Sequence, residues 1–176
     1  MQSILLAISN IIFGFMPLTR WYKIRARMLR FCGIKCTLTL RLVSSARIVY
    51  KNVTIGENSF IGHQVLITGN DLFKIQIGSN VDLAPRVTIL SGGHEIDMIG
   101  KHSAGLGSGG DVIIEDGVWI GANSTILPGV RIGEKSVIGA GSVVTKDIPH
   151  HCIAVGNPCK PIKQWDSTIG VFEGLI

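Results

Sequence analysis

No acidic residue occurs in the first 51 positions, no apolar run reaches the ~20 residues of a membrane-spanning helix, and aromatic side chains make up only 6% of the chain. Charged residues are also scarce, at 16%. Four cysteines, Cys32, Cys36, Cys152 and Cys159, do not make a disulfide framework in a chain of 176 residues. Cys32 and Cys36 have loose metal-like spacing, but the second pair lies far away. The cysteines therefore read as free thiols of a reducing compartment, the cytoplasm, and no metal is expected. The net charge of +5 is local: nine of the 17 Lys and Arg fall in residues 1–51, and the remainder carries eight bases against 12 acids. No base-reading or stacking motif accompanies those bases, which excludes nucleic acid as a partner.

What the chain has in abundance is glycine, 22 residues of it, and a repeat. Ile114, Ile120, Ile126, Ile132, Ile138 and Val144 recur every sixth residue. Gly121, Gly133 and Gly139 each follow one of them, and Val118, Ser124, Val130, Ser136 and Ser142 come four behind. A helix repeats its apolar face every 3.6 residues and a lone strand every two, so a period of six fits neither. Short strands joined by tight corners do fit, stacked so that each aliphatic sits over its counterpart in the next coil. Glycine beside the aliphatic then reads as a corner needing special backbone dihedrals.

The segments IGANSTILPGVRIGEKSVIGAGSVVTKDIP and AVGNPCKPIK resemble the hexapeptide-repeat acyltransferases, in particular the sugar O-acetyltransferases of the galactoside and maltose acetyltransferase type. The likeness runs from about Val43 to Lys163. It implies an all-β fold, a left-handed parallel β-helix with three faces per coil of about 18 residues, a homotrimer, and acetyl-CoA as donor to a saccharide acceptor.

The expected division is an N-terminal helical segment over residues 1–42, a β-helix over 43–163 with residues 90–111 inserted as one long loop, and a tail over 164–176. Met1 to Leu18 is mostly apolar but stops at Pro17 and lacks a signal peptide's basic start and cleavage site, so it reads as a helix. Arg20 to Phe31 mixes five bases with aromatics and aliphatics. Residues 1–31 suit two roles, a cap over the open end of a solenoid or peripheral contact with an anionic membrane. The hexads begin at Val43 and Val49 and continue through Ile55, Ile61 and Ile67. They slip at Gly69 to Lys74, resume at Ile77, Leu83 and Ile89, and break again before Ile114. The two interruptions are predicted to leave the solenoid as loops, the usual place for function on a rigid scaffold.

Acetyl transfer from a thioester to a hydroxyl needs a base for the hydroxyl proton, and histidine, with an ordinary pKa of about 6.5, suits that task. His94, in ILSGGHEID, resembles the family's catalytic histidine by position; Glu95 and Asp97 are candidates to orient it. His102, eight residues along, competes as base or binds the acceptor, a role also open to Asn70, Asp71 and Glu95. His63, His150 and His151 read as structural. Without a G-x-S-x-G elbow, direct transfer is favoured over an acyl-enzyme. Matched by motif, the family's CoA contacts fall on Trp119, Ala122, Ala140, Thr145, Lys146, Lys160 and Lys163. Ala122 stands where some relatives have serine, and Lys160 and Lys163 where they have arginine. The hydrophobic, basic N-terminus resembles polysaccharide-modifying relatives, which implies a lipid- or nucleotide-linked saccharide of cell-envelope synthesis. The alternatives are N-acetylation of an amino sugar, or a non-enzymatic assembly or metal-binding β-helix on which His63, His94 and His102 converge.

Overall fold

Two helices, α1 (Gln2–Gly14) and α2 (Tyr22–Phe31), precede a chain of short strands in a computed structural model that describes residues 2–175; Met1 and Ile176 lie outside the described residues. The strands form three faces in rotation. The first holds Lys35–Cys36, Val53–Ile55, Ile75–Ile77, Val112–Ile114 and Arg131–Ile132. The second holds Arg41–Leu42, Phe60–Ile61, Asp82–Leu83, Trp119–Ile120 and Val137–Ile138, and the third Arg47–Ile48, Leu66–Thr68, Thr88–Leu90, Thr125–Ile126 and Val143–Val144. Pairing between these coils is parallel: Ile120 lies over Ile138, 18 residues on, and Ile126 over Val144.

The hexad from Ile114 to Val144 is the core: all six side chains are buried, stacked with Ile77, Leu83 and Ile89 from the preceding coil. Burying each contributes about 1.5–3 kcal/mol. The corners keep themselves satisfied through serine. Ser124 and Ser142 donate to the Gly139 carbonyl at 3.0 and 2.6 Å, Ser136 donates to Pro149 at 2.6 Å, and the Ser142 hydroxyl accepts from Gly156 N–H at 3.1 Å. Ser142 is thus buried in a corner.

Three sequence expectations are corrected. The solenoid starts at Lys35, ahead of Val43, and its first coil is phased on Leu42 and Ile48, which pair with Ile61 and Ile67; Val49 is 54% exposed. The glycines beside the aliphatics do not occupy left-handed dihedrals. That conformation falls on another six-residue series, Gly117, Asn123, Gly129, Lys135 and Gly141, with φ of 68°, 60°, 81°, 54° and 70°. Gly121 is required by close approach instead, since a Cβ there would lie 2.5 Å from Ala140 N and 2.8 Å from Ile138 O. Finally, residues 164–176 are not a separate tail. Cys152–Gly156 extends the second face in parallel with Val137–Ile138, and Cys159–Asp166 and Val171–Gly174 add to it antiparallel, with Trp165 edge-on to Phe172 at 5.1 Å.

Every departure from the period of six falls at one corner, between the third and first faces. Ile48 to Ile55, Ile67 to Ile77 and Ile89 to Ile114 each cross it with extra residues. The last excess is not an open loop: Gly92–Ile96 and Ala104–Gly109 pair as an antiparallel hairpin.

The helices close the solenoid's N-terminal end. Leu6, Phe13, Ala26 and Leu29 join the core, and Asn10 donates to Ile48 O at 2.8 Å. Arg25 is fully buried and donates to Leu42 O at 2.7 Å, Pro17 O at 3.0 Å and Leu18 O at 3.4 Å, tying the helix linker to the first coil. Burial lowers its pKa, with the neighbouring Tyr22 acting in the opposite sense. Removing it orphans buried carbonyls, so Arg25→Ala is expected to lower unfolding stability in urea titration by about 3 kcal/mol. Arg27→Ala, on the exposed side, is expected to change it by about 0.5 kcal/mol.

Candidate active site

The corner between the third and first faces gathers the loop Gly69–Lys74, the hairpin and the turn at Thr145–Asp147. Asn70 holds the first two together, donating from Nδ2 to Ser108 O at 3.3 Å while its Oδ1 accepts from Leu72 N–H at 3.0 Å. Lys74 N–H donates to Asp111 Oδ1 at 2.9 Å, and Asp147 accepts from Arg131 N–H at 2.7 Å. Asp71 is exposed beside Lys51, at 3.9 Å.

His94 stands on the first hairpin strand, exposed, with Nδ1 3.0 Å from Gly105 O. A carbonyl only accepts, so Nδ1 carries the proton and, in the neutral ring, the lone pair sits on Nε2. The approach depends on a bulge. His94 pairs with Gly107 and Ile96 with Ala104, so the second strand holds one residue more and presents Gly105 to the imidazole. Asp97 does not orient the ring: its carboxylate accepts from Gly100 and Ile99 N–H, both at 2.8 Å, and these bonds hold its pKa below the usual range. Glu95 and His102 are exposed on the same hairpin.

Ala122 and Ala140 lie at the opposite edge of the third face, stacked in successive coils, with Ala122 O accepting from Gly141 N–H at 2.8 Å. Thr145 and Lys146 are exposed at the hairpin's edge. The third face between the two edges carries Thr88, Thr125 and Val143 aligned in one row. Trp119, 55% exposed, belongs to the second face, in one register row with Val137, Ile153 and Lys163; Lys160 lies on the same strand as Lys163. One chain therefore groups His94, Asn70, Asp71, Glu95, His102, Thr145 and Lys146 at one edge. It sets Ala122 and Ala140 at the other edge and Trp119, Lys160 and Lys163 on the neighbouring face.

His63 accepts or donates at Nδ1 with Ser45 Oγ, 2.6 Å away, in a corner between the second and third faces, apart from the hairpin. Among the described residues, no cluster of three or more His, Cys, Asp or Glu is suited to a metal. The cysteines are unpaired, and burial raises the pKa of Cys36 to about 11 and pushes Cys152 and Cys159 upward.

Residues 111–146 match the family described as bacterial transferase hexapeptide (six repeats). The chain is 38% identical to a maltose O-acetyltransferase from Clostridium difficile 630, covering 92% of this chain and 85% of that one with a TM-score of 0.68. A galactoside acetyltransferase solved in complex with coenzyme A aligns over 95% of this chain and 82% of its own, at 28% identity and a TM-score of 0.75. By sequence, the galactoside O-acetyltransferase of Escherichia coli K12 is 41% identical over 113 residues, 64% of this chain and 54% of the relative. The chain belongs to the hexapeptide-repeat acetyltransferase family. Its matched segment spans about half the length of the curated relatives.

Proposed function

We propose that this protein is an acetyl-CoA-dependent O-acetyltransferase acting on a sugar hydroxyl in cell-envelope polysaccharide synthesis, with His94 as general base. The observation that carries the reading is the His94 Nδ1–H bond to Gly105 O, which leaves Nε2 as the proton acceptor on an exposed, braced hairpin. Nε2 takes the proton of the acceptor hydroxyl as its oxygen attacks the thioester carbonyl. The tetrahedral intermediate then expels the CoA thiolate, which recovers that proton from the imidazolium, leaving a new ester and free thiol.

Coenzyme A is assigned to Trp119, Ala122, Ala140 and Thr145, with Lys146, Lys160 and Lys163 as phosphate partners. The acceptor is assigned to Asn70, Asp71, Glu95 and His102. Because His94 and the Ala122–Ala140 corner border opposite edges of one face, a second copy is needed to bring them together, which supports a homotrimer with sites between subunits. Kinship supports a left-handed winding for the β-helix. Unpaired thiols fit work in the cytoplasm. The maltose and galactoside acetyltransferase relatives support a sugar acceptor.

The test is CoA release from acetyl-CoA with a panel of free, nucleotide-linked and lipid-linked saccharides, amino sugars included. Turnover on a hydroxyl acceptor is expected. Turnover confined to amines moves the reading to N-acetylation, and failure to bind acetyl-CoA removes the enzyme reading.

A further inference from the structure

Helix α1 is apolar on both sides, and capping the solenoid accounts for only one of them. Leu6, Ser9, Asn10 and Phe13 face inward and are buried. Ile4, Ile8 and Ile11, at i, i+4 and i+7, form the opposite stripe, with Ile4 65% and Ile11 64% exposed, and Phe15, in the turn just after the helix, is 88% exposed. Leu18 and Trp21 continue this exposed apolar surface through the linker. No charged residue occurs in α1.

The charge lies beside it and has one sign. Arg20, Lys23, Arg27 and Arg30 are exposed on the linker and α2, and residues 1–51 contain no acid to balance them. An apolar helix that is hydrophobic all round belongs in a core or in lipid. At 13 residues α1 is about 20 Å long, too short to cross a bilayer, and no helix of the described residues is long and apolar enough to do so. An apolar stripe flanked by uncompensated cations matches the acyl–headgroup boundary of an anionic bilayer: the stripe enters the boundary while the bases meet lipid phosphates.

We propose that the outer stripe of α1, with Phe15, Leu18 and Trp21 after it, docks the protein in the plane of an anionic membrane, with Lys23, Arg27 and Arg30 on the headgroups. The docking is independent of the catalytic assignment and needs neither His94 nor acetyl-CoA. It is peripheral.

The experiment is co-sedimentation of the full chain with vesicles of phosphatidylcholine alone or mixed with phosphatidylglycerol, with oligomer mass measured in parallel by sedimentation velocity. Binding is expected to the mixed vesicles and to weaken with added salt. Ile11→Glu with Phe15→Glu is expected to lower partitioning more than about tenfold while leaving mass and circular dichroism unchanged. Lys23→Gln with Arg27→Gln and Arg30→Gln is expected to remove the preference for anionic lipid without altering the fold. Absence of vesicle binding by the intact protein overturns the proposal. So does a loss of oligomer mass in the glutamate variant with its vesicle binding retained, which assigns the stripe to a contact between copies.

Discussion

Replacing His94 with alanine is expected to lower kcat/KM for acetyl transfer by about 10³-fold, within the range for loss of a positioned general base. Acetyl-CoA affinity, read by calorimetry, is expected to stay unchanged, because in the proposed mechanism the side chain acts on the acceptor proton and not on the cofactor. A second variant separates this from a general disturbance of the hairpin. In serine-protease triads, converting the carboxylate that orients the imidazole to an amide costs about 10⁴-fold. Here the orienting acceptor is the Gly105 carbonyl, and Asp97 is spent on its own turn. Asp97→Asn is therefore expected to cost less than about tenfold. A loss as large as that of His94→Ala would place the carboxylate on the ring during turnover and remove the carbonyl from its role.

The second large effect concerns the scaffold. Gly121→Ala is expected to destabilise the protein by about 3 kcal/mol, because its Cβ would stand 2.5 Å from backbone that cannot retreat without moving the next coil. Gly141→Ala is the contrast: its φ of 70° is unfavourable for an L residue, but no heavy atom lies within 4 Å of the added Cβ. That change is expected to cost about 1 kcal/mol. Urea midpoints of the two variants check the order. The reverse order would mean that dihedral strain at Gly141 outweighs the coil-to-coil approach at Gly121.

The uninterrupted hexads from Ile114 to Val144 are legible because every corner in that run has the same length, so position alone assigns each side chain inward or outward. The first coil is not legible in the same way. Leu42 and Val43, like Ile48 and Val49, are apolar neighbours, and an extra residue at the Val49–Asn52 corner shifts the count without any polar mark. The hairpin leaves no strand signature because its paired segments are rich in glycine and poor in β-branched side chains. Its pairing comes from backbone bonds and from stacking of the two inserted segments, as where Gly109 lies against Phe73. His94 can be found from its place after the closing coil, whereas its partner is a main-chain carbonyl, which no residue identity announces. Trp165 and Phe172 carry no motif, and only the antiparallel pairing of their strands explains why they stand opposite each other.

All the added length in this chain is admitted at a single corner of the triangle. At the other two corners the count of six is kept in every coil. At the permitted corner a segment of any length can leave and return without disturbing the coil above or below. Chemistry and architecture are thereby uncoupled: new acceptor preferences can be written into one margin of the molecule while the text of the ladder stays the same.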